Sequence, residues 1–272
     1  MNAITEKTAF LIGEVQSKIP LVHQITNYVT VNDCANITLA VGASPIMADD
    51  IAEAADITSI SSALVINIGT LNERTVQSML TAGKKANELG IPVVFDPVGA
   101  GASRMRNETA KAILNQVKLA VIRGNLSEIS FTAGLKAAAR GVDASEADSR
   151  RDAAAVAKRA AEQWDCVAAV TGAVDYISDG HRTIAIYNGH KMLSRVTGTG
   201  CMCTALTGAF AGACGDYLAA AAAGIAVMGI AGEIAFETAG EKGTGAFRSA
   251  IIDAVSLMDK TVFEKRAKID EI

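Results

Sequence analysis

Aromatic side chains make up only 4% of the 272 residues, with a single tryptophan, although half of the chain is hydrophobic. The core must therefore be built from Ala, Val, Ile, Leu and Met. That composition suits close helix-on-sheet packing better than an aromatic-filled sandwich. There are four prolines, and no Pro/Ser linker or block of like charge interrupts the sequence; one domain over residues 1–272 is expected. The formal net charge is −4 and the basic residues are scattered. This excludes the electrostatic footprint of a nucleic-acid binder and the basic run of a membrane-surface protein. The five cysteines, Cys34, Cys166, Cys201, Cys203 and Cys214, form no CxxC pair, and His23, His181 and His190 stand alone. No metal-ligand spacing results, and free thiols in a reducing, cytoplasmic compartment are expected. Met1 to Phe10 carries no apolar stretch suited to a signal peptide. Tyr217 to Gly232 is uncharged but rich in alanine and glycine and too short to span a bilayer, so it reads as a buried helix.

What is present is an alternation of short apolar runs with longer helical patterns. Strands are expected at Leu21–His23, Ala63–Ile68, Pro92–Phe95, Leu119–Ile122 and Cys166–Val170. Val174–Ser178 and Thr183–Tyr187 follow, joined across Asp179-Gly180 as a hairpin. Helices are expected over Val29–Ala40, Asn72–Leu89, Asn107–Val117 and Asp148–Trp164, with a helical C-terminal third from Cys201 to about Lys268. Lys136 to Asp152 reads as a polar surface loop leading into a helix. The pattern is that of an α/β protein with a mostly parallel sheet covered on both faces and an antiparallel edge.

In such sheets ligands bind beyond the carboxyl ends of the strands. Ile68-Gly69-Thr70, Asp96-Pro97-Val98-Gly99-Ala100-Gly101, Arg123-Gly124-Asn125 and Thr171-Gly172 each follow a strand directly, so four strand ends converge on one rim. A second feature points to the same end. Gly198-Thr199-Gly200-Cys201 precedes a long small-residue helical run, a way to present bare backbone N–H groups and a helix N-terminus to an anion. Cys201 is then the first reactive side chain, where a helix terminus lowers a thiol's pKa. Asp96 is placed to hold Mg²⁺ or a substrate, or to cap its loop. Asn125 and Glu128 either form a capping box or bring Glu128 to a hydrated Mg²⁺. Arg123 can grip phosphate through its planar fork or close a salt bridge. Thr171-Gly172 offers a hydroxyl and an N–H to a nucleotide, or closes a turn. Neither GxxxxGK[ST] nor GxGxxG occurs, which excludes P-loop and dinucleotide sites.

From about residue 10 to residue 260 the chain resembles the hydroxyethylthiazole kinase family, ribokinase-like enzymes of thiamine salvage. The resemblance is carried by Pro20–Val29, Ala35-Asn36, Gly42–Met47, Asn67–Leu71, Phe95–Ala102, Arg123–Ile129, Asn188–Lys191 and Gly198–Cys201. It implies ATP-dependent phosphorylation of the alcohol of 4-methyl-5-(2-hydroxyethyl)thiazole. It further implies a thiazole site at Asn27, Val29 and Met47 with Gly198 beside the hydroxyl, ATP on Arg123 and Thr171, and Mg²⁺ on Asp96 and Glu128. Catalysis is implied at Cys201 within the Gly198–Gly200 turn, and a homotrimer whose sites lie between subunits. The wider ribokinase-like group usually carries Asp where this chain has Cys201, whereas Cys is usual in the thiazole kinases. Thr199 stands where Ala is common, which would add a hydroxyl near the phosphates. Thr244 stands where Pro is frequent. A kinase for another small alcohol such as hydroxymethylpyrimidine is the nearest alternative, and a non-catalytic sensor a more distant one.

Overall fold

The computed structural model describes residues 3–135 and 146–272, the side chains of 146–151 excepted. The surface loop expected from Lys136 lies outside the described residues as far as 145. The described chain runs α1 (Ala3–Lys18), β1 (Leu21–Ile25), α2 (Val31–Ala40), β2 (Ser44–Ile46), α3 (Ala54–Ser59), β3 (Ala63–Asn67), α4 (Glu73–Leu89), β4 (Val93–Asp96), α5 (Arg104–Gln116), β5 (Val121–Asn125) and α6 (Leu126–Thr132). It continues with α7 (Glu146–Trp164), β6 (Val167–Thr171), β7 (Asp175–Ser178), β8 (Thr183–Ile186), α8 (Thr199–Ala213), α9 (Tyr217–Ala239), α10 (Thr244–Ser256), α11 (Lys260–Arg266) and β9 (Ile269–Glu271).

The strands form one nine-stranded sheet in the order β2-β1-β3-β4-β5-β6-β7-β8-β9. Pairings from β2 through β6 are parallel, and those from β6 through β9 are antiparallel. The interior strands are buried on both faces, which is why they read as continuous apolar runs and not as alternation. Along β3, Leu64 and Ile66 face α3 to α5, whereas Val65 faces the opposite layer, where α1, α2 and α8 to α11 pack. Each such fully buried aliphatic side chain is worth roughly 1.5–3 kcal/mol relative to exposure. Both sheet edges are short and awkward to extend: β2 carries Pro45, and β9 exposes Asp270 and Glu271. These two strands, with α1 and α3, are the elements absent from the sequence expectation.

The Ala- and Gly-rich segment from Tyr217 forms α9, against α8 and the sheet. This helix is long and apolar enough to cross a membrane by length and composition, yet 89% of its most apolar window is buried among its own neighbours. Small residues make that possible. A Cβ on Gly224 would lie 2.8 Å from the Thr207 backbone, so the two helix axes meet at a distance only glycine permits. The helix α8 thereby lies under the centre of the sheet, touching β1, β3 and β4, with its N-terminus at their carboxyl ends.

Candidate active site

At that end of the sheet a cavity of about 780 Å³ opens. Its wall takes Asp96 from β4, Arg123 and Asn125 from β5, Glu128 from α6, Thr171 to Ala173 and Asp175 from the β6–β7 turn, and Gly198 to Cys201 from the start of α8. The far wall is formed by Asn188 to Lys191, Leu193 and Ser194 together with Ile225, Met228 and Gly229 of α9. Three of the four expected strand ends thus reach this cavity, at Asp96, at Arg123 and Asn125, and at Thr171-Gly172, and Glu128, Gly198, Gly200 and Cys201 join them, whereas Ile68-Gly69-Thr70 does not line it.

Gly198 is the N-cap of α8 at φ +89°, a left-handed conformation, and no side chain caps the helix. The N-terminal N–H groups of α8 are therefore left for a ligand, in the way helix termini bind anions. A Cβ on Gly198 would fall 2.5 Å from Cγ2 of Thr30, so backbone angle and space both require glycine. Thr199 does not point its hydroxyl at this opening: Oγ1 lies 3.1 Å from the Leu193 carbonyl, anchoring the preceding turn. Arg123 reaches across from β5 and donates to the Gly200 carbonyl at 3.1 Å, tying the turn to the sheet. Its guanidinium stands 3.9 Å from Asp96.

Asp96 is 2% exposed. Its Oδ2 accepts from Thr204 Oγ1 at 2.7 Å and from Asn67 Nδ2 at 2.9 Å, which leaves Oδ1 for whatever enters the cavity. Burial pushes the carboxyl up to about 6 against the opposing pull of Arg123, Thr204 and Asn67. Asp175 is similarly raised to about 6 by burial, although the Gly172 N–H and Arg123 favour its charge. Arg123 thus favours the charge of two carboxylates, one buried and one half-buried. Sequence reading passed over Asp175, whose only outward sign is an acid at the start of an otherwise apolar strand. The Gly172 N–H is engaged by Asp175 Oδ1 at 2.9 Å, and Thr171 Oγ1 donates to the Gly124 carbonyl at 3.2 Å. The Gly172 N–H therefore closes the turn, while the Thr171 hydroxyl ties β6 to β5 and Thr171 still lines the cavity.

Cys201 departs from expectation in its acidity. Its thiol pKa is raised, first by burial and then by the Asp96 charge, and these outweigh the donors around it. The sulfur is largely buried beside a carboxylate, and both disfavour the thiolate. Two amides donate to Sγ: Asn27 Nδ2 at 3.1 Å and Asn67 Nδ2 at 3.3 Å. Asn27 is itself buried, with Oδ1 accepting from Thr30 Oγ1 at 3.0 Å. Thr204 and Asn67 were not singled out from sequence. The signals were available: Thr204 falls one helical turn beyond Cys201 on the same face, and Asn67 is a polar residue ending an apolar strand.

Both readings of Asn125 and Glu128 are compatible, but the capping box is present. Asn125 Oδ1 accepts from the Glu128 N–H at 2.9 Å, and Glu128 Oε2 accepts from the Asn125 N–H at 2.8 Å. Oε1 of Glu128 takes the Gly99 N–H at 2.8 Å, joining the β4 and β5 loops. Arg106 on α5 performs a similar service. It donates to the carbonyls of Ile68, Gly69 and Val98 at 2.6 to 2.7 Å and pins the ends of β3 and β4 together. Asn27, Val29 and Met47 lie outside the cavity wall of a single chain: Asn27 is buried behind Cys201, Val29 is 60% exposed, and Met47 packs partly buried against the core on that side of the sheet. Among the described residues, no group of three or more His, Cys, Asp or Glu side chains is arranged to hold a metal unaided.

Comparison with known proteins gives a consistent answer. A sequence model of the "Hydroxyethylthiazole kinase family" matches residues 12–261. A protein named hydroxyethylthiazole kinase from Ruminiclostridium cellulolyticum is 66% identical over the full length of both chains. The solved structure of a hydroxyethylthiazole kinase from Pyrococcus horikoshii superposes with a TM-score of 0.89 at 41% identity, covering 97% of this chain and 98% of that one. A ribokinase-like superfamily protein from Enterococcus faecalis shares the fold alone, with a TM-score of 0.59 at 10% identity over 89% of each chain.

Proposed function

The chain belongs to the hydroxyethylthiazole kinase family and phosphorylates the hydroxyl of 4-methyl-5-(2-hydroxyethyl)thiazole, and from that premise we propose how its residues divide the work. ATP lies along the cavity with its phosphates at the Gly198–Cys201 turn, where bare N–H groups and the Arg123 guanidinium meet the transferring group. Phosphoryl transfer needs positioning and charge neutralisation more than covalent help, and this end of the cavity is built of both. Thr171 packs on the nucleotide side. The thiazole sits beyond Cys201, with Asn27, Val29 and Met47 around it. The observation that carries this reading is the meeting of Cys201, Arg123, Asp96 and the open α8 terminus at one end of one cavity.

Mg²⁺ suits the acids present. Asp96 offers a carboxylate oxygen without a protein partner, a hard ligand of the kind Mg²⁺ takes in ones or twos beside substrate phosphates. Glu128, held by two backbone N–H groups, is set to orient a water of the ion and not to move. When bound, the ion neutralises phosphate charge.

Cys201 remains a thiol near neutral pH, since its pKa is raised. It orients the acceptor hydroxyl, whose proton is released late in a loose transition state, and turnover is correspondingly slow. The exposed pair Tyr28 and Val29, at 69% and 60%, supports a homotrimer in which a neighbouring chain covers the thiazole side with its Met47 segment. A single ribokinase-like kinase domain in the cytoplasm, without nucleic-acid or membrane partners, completes the assignment.

The deciding experiment is ADP release with Mg²⁺-ATP and hydroxyethylthiazole, beside hydroxymethylpyrimidine and a no-acceptor control. Release with the thiazole alone, abolished by EDTA and by Asp96→Asn, is the expected result. Release with the pyrimidine would reassign the acceptor. Nucleotide binding without release from either would make the protein a sensor. Light scattering tests the trimer.

A further inference from the structure

The orientation of the two amides at Cys201 is settled by their surroundings. Asn67 is 1% exposed at the end of β3. One of its terminal atoms accepts the Gly69 backbone N–H at 2.9 Å, a group that can only donate, so that atom is Oδ1. The other lies 2.9 Å from the Asp96 carboxylate, which accepts, so it is Nδ2, and the same nitrogen lies 3.3 Å from Sγ. Asn27 Nδ2 donates to Asn67 Oδ1 at 3.1 Å and to Sγ at 3.1 Å. Both amide nitrogens therefore face the sulfur, Asn67 Nδ2 also meeting the carboxylate and Asn27 Nδ2 also meeting Asn67 Oδ1. Sγ is received into this network as an acceptor, and a Cys201 so held presents a further acceptor position to a hydroxyl in the cavity.

We propose that Asn67 is a positioning residue for phosphoryl transfer, holding Sγ of Cys201 as an acceptor for the substrate's O–H and setting its distance from Asp96. Nothing about Asn67 touches substrate; it acts through the thiol, with the Asp96 carboxylate as the second anchor of its amide nitrogen. Its own place is fixed by Arg106, whose three hydrogen bonds to the Ile68, Gly69 and Val98 carbonyls clamp the segments following Asn67 and Asp96. The inference rests on the reading of Cys201 as the group that meets the acceptor hydroxyl.

The test is a double-mutant cycle of Asn67→Ala and Cys201→Ala in the full-length enzyme, with kcat and both KM values measured and the fold checked by near-UV circular dichroism. Asn67→Ala is expected to lower kcat at least about tenfold while KM for ATP changes less than about threefold. In the Cys201→Ala background the same substitution is expected to cost less than about twofold, since residues acting as a unit are not additive. Equal losses in both backgrounds, or a loss confined to KM for ATP, would overturn the role of Asn67 and leave that of Cys201 standing. A Cys201→Ala enzyme with unchanged kcat would remove the reading of Cys201 itself, and this inference with it. Should Asn67→Ala fail to fold, Asn67→Leu takes its place in the cycle. It fills the same space and lacks both donors without adding charge beside Asp96, and the same outcomes decide.

Discussion

Substituting Gly198 by alanine separates two costs that the structure superimposes at one position. The first is conformational: at φ +89° an L-residue pays roughly 1–2 kcal/mol. The second is steric: the new Cβ would lie 2.5 Å from Thr30 Cγ2 and 3.0 Å from Thr30 Cβ, an overpacking of the kind that costs about 1–3 kcal/mol. Together they predict a loss of roughly 2–5 kcal/mol, or about 4–20 °C in melting temperature for a chain of this size. Turnover should fall at least about tenfold if the displaced turn meets the phosphates as proposed. Adding Thr30→Ser removes Cγ2 but keeps the hydroxyl that donates to Asn27. The double variant should therefore recover the steric share, about half of the stability loss, and none of the conformational share. Differential scanning fluorimetry and steady-state kinetics on the two variants read both. Wild-type stability in Gly198→Ala, or no recovery in the double variant, would refute the account of the turn.

Cys201→Asp should keep or raise kcat, since the two amide donors suit an anion; a variant that folds and binds ATP yet turns over more than about tenfold slower contradicts this. Asp175→Asn should stabilise the protein increasingly as pH rises. The folded carboxyl titrates near 6, above its usual 3.8, so its contribution is fully present below about 4 and is lost as pH climbs through about 6. The gain over wild type by pH 8 is at most about 3 kcal/mol; a urea midpoint difference independent of pH would count against it. Arg106→Ala should cost about 3 kcal/mol by stranding three carbonyls, with Arg106→Lys restoring only part, as chemical denaturation will show.

Much of this architecture was legible because its signals are local. The apolar run Ala63–Ile68 and the acid that ends Pro92–Asp96 announced buried strands with a functional rim. Asn72 and Gly90 bracket α4 by ordinary capping chemistry, with the Asn72 side chain closing a capping box and Gly90 in the left-handed region. What escaped was non-local. The strand β9 is one buried isoleucine followed by two exposed acids, whose structure comes from pairing with β8, and β2 is three residues around a proline. No property of Asp175 within the sequence shows that Arg123 lies opposite, and the acidity of Cys201 depends on a carboxylate more than a hundred positions away. The motif at Gly198 pointed to the cavity; the fold decided its charge.

The glycine contact between α9 and α8 also has a mechanical side. Two rods that touch backbone to backbone cannot slide or roll past one another without collision, and the sheet blocks the third direction. The turn at Gly198 is the tip of one of those rods. Its rigidity is therefore borrowed from the interior of the molecule, at Gly224, deep in the helix layer.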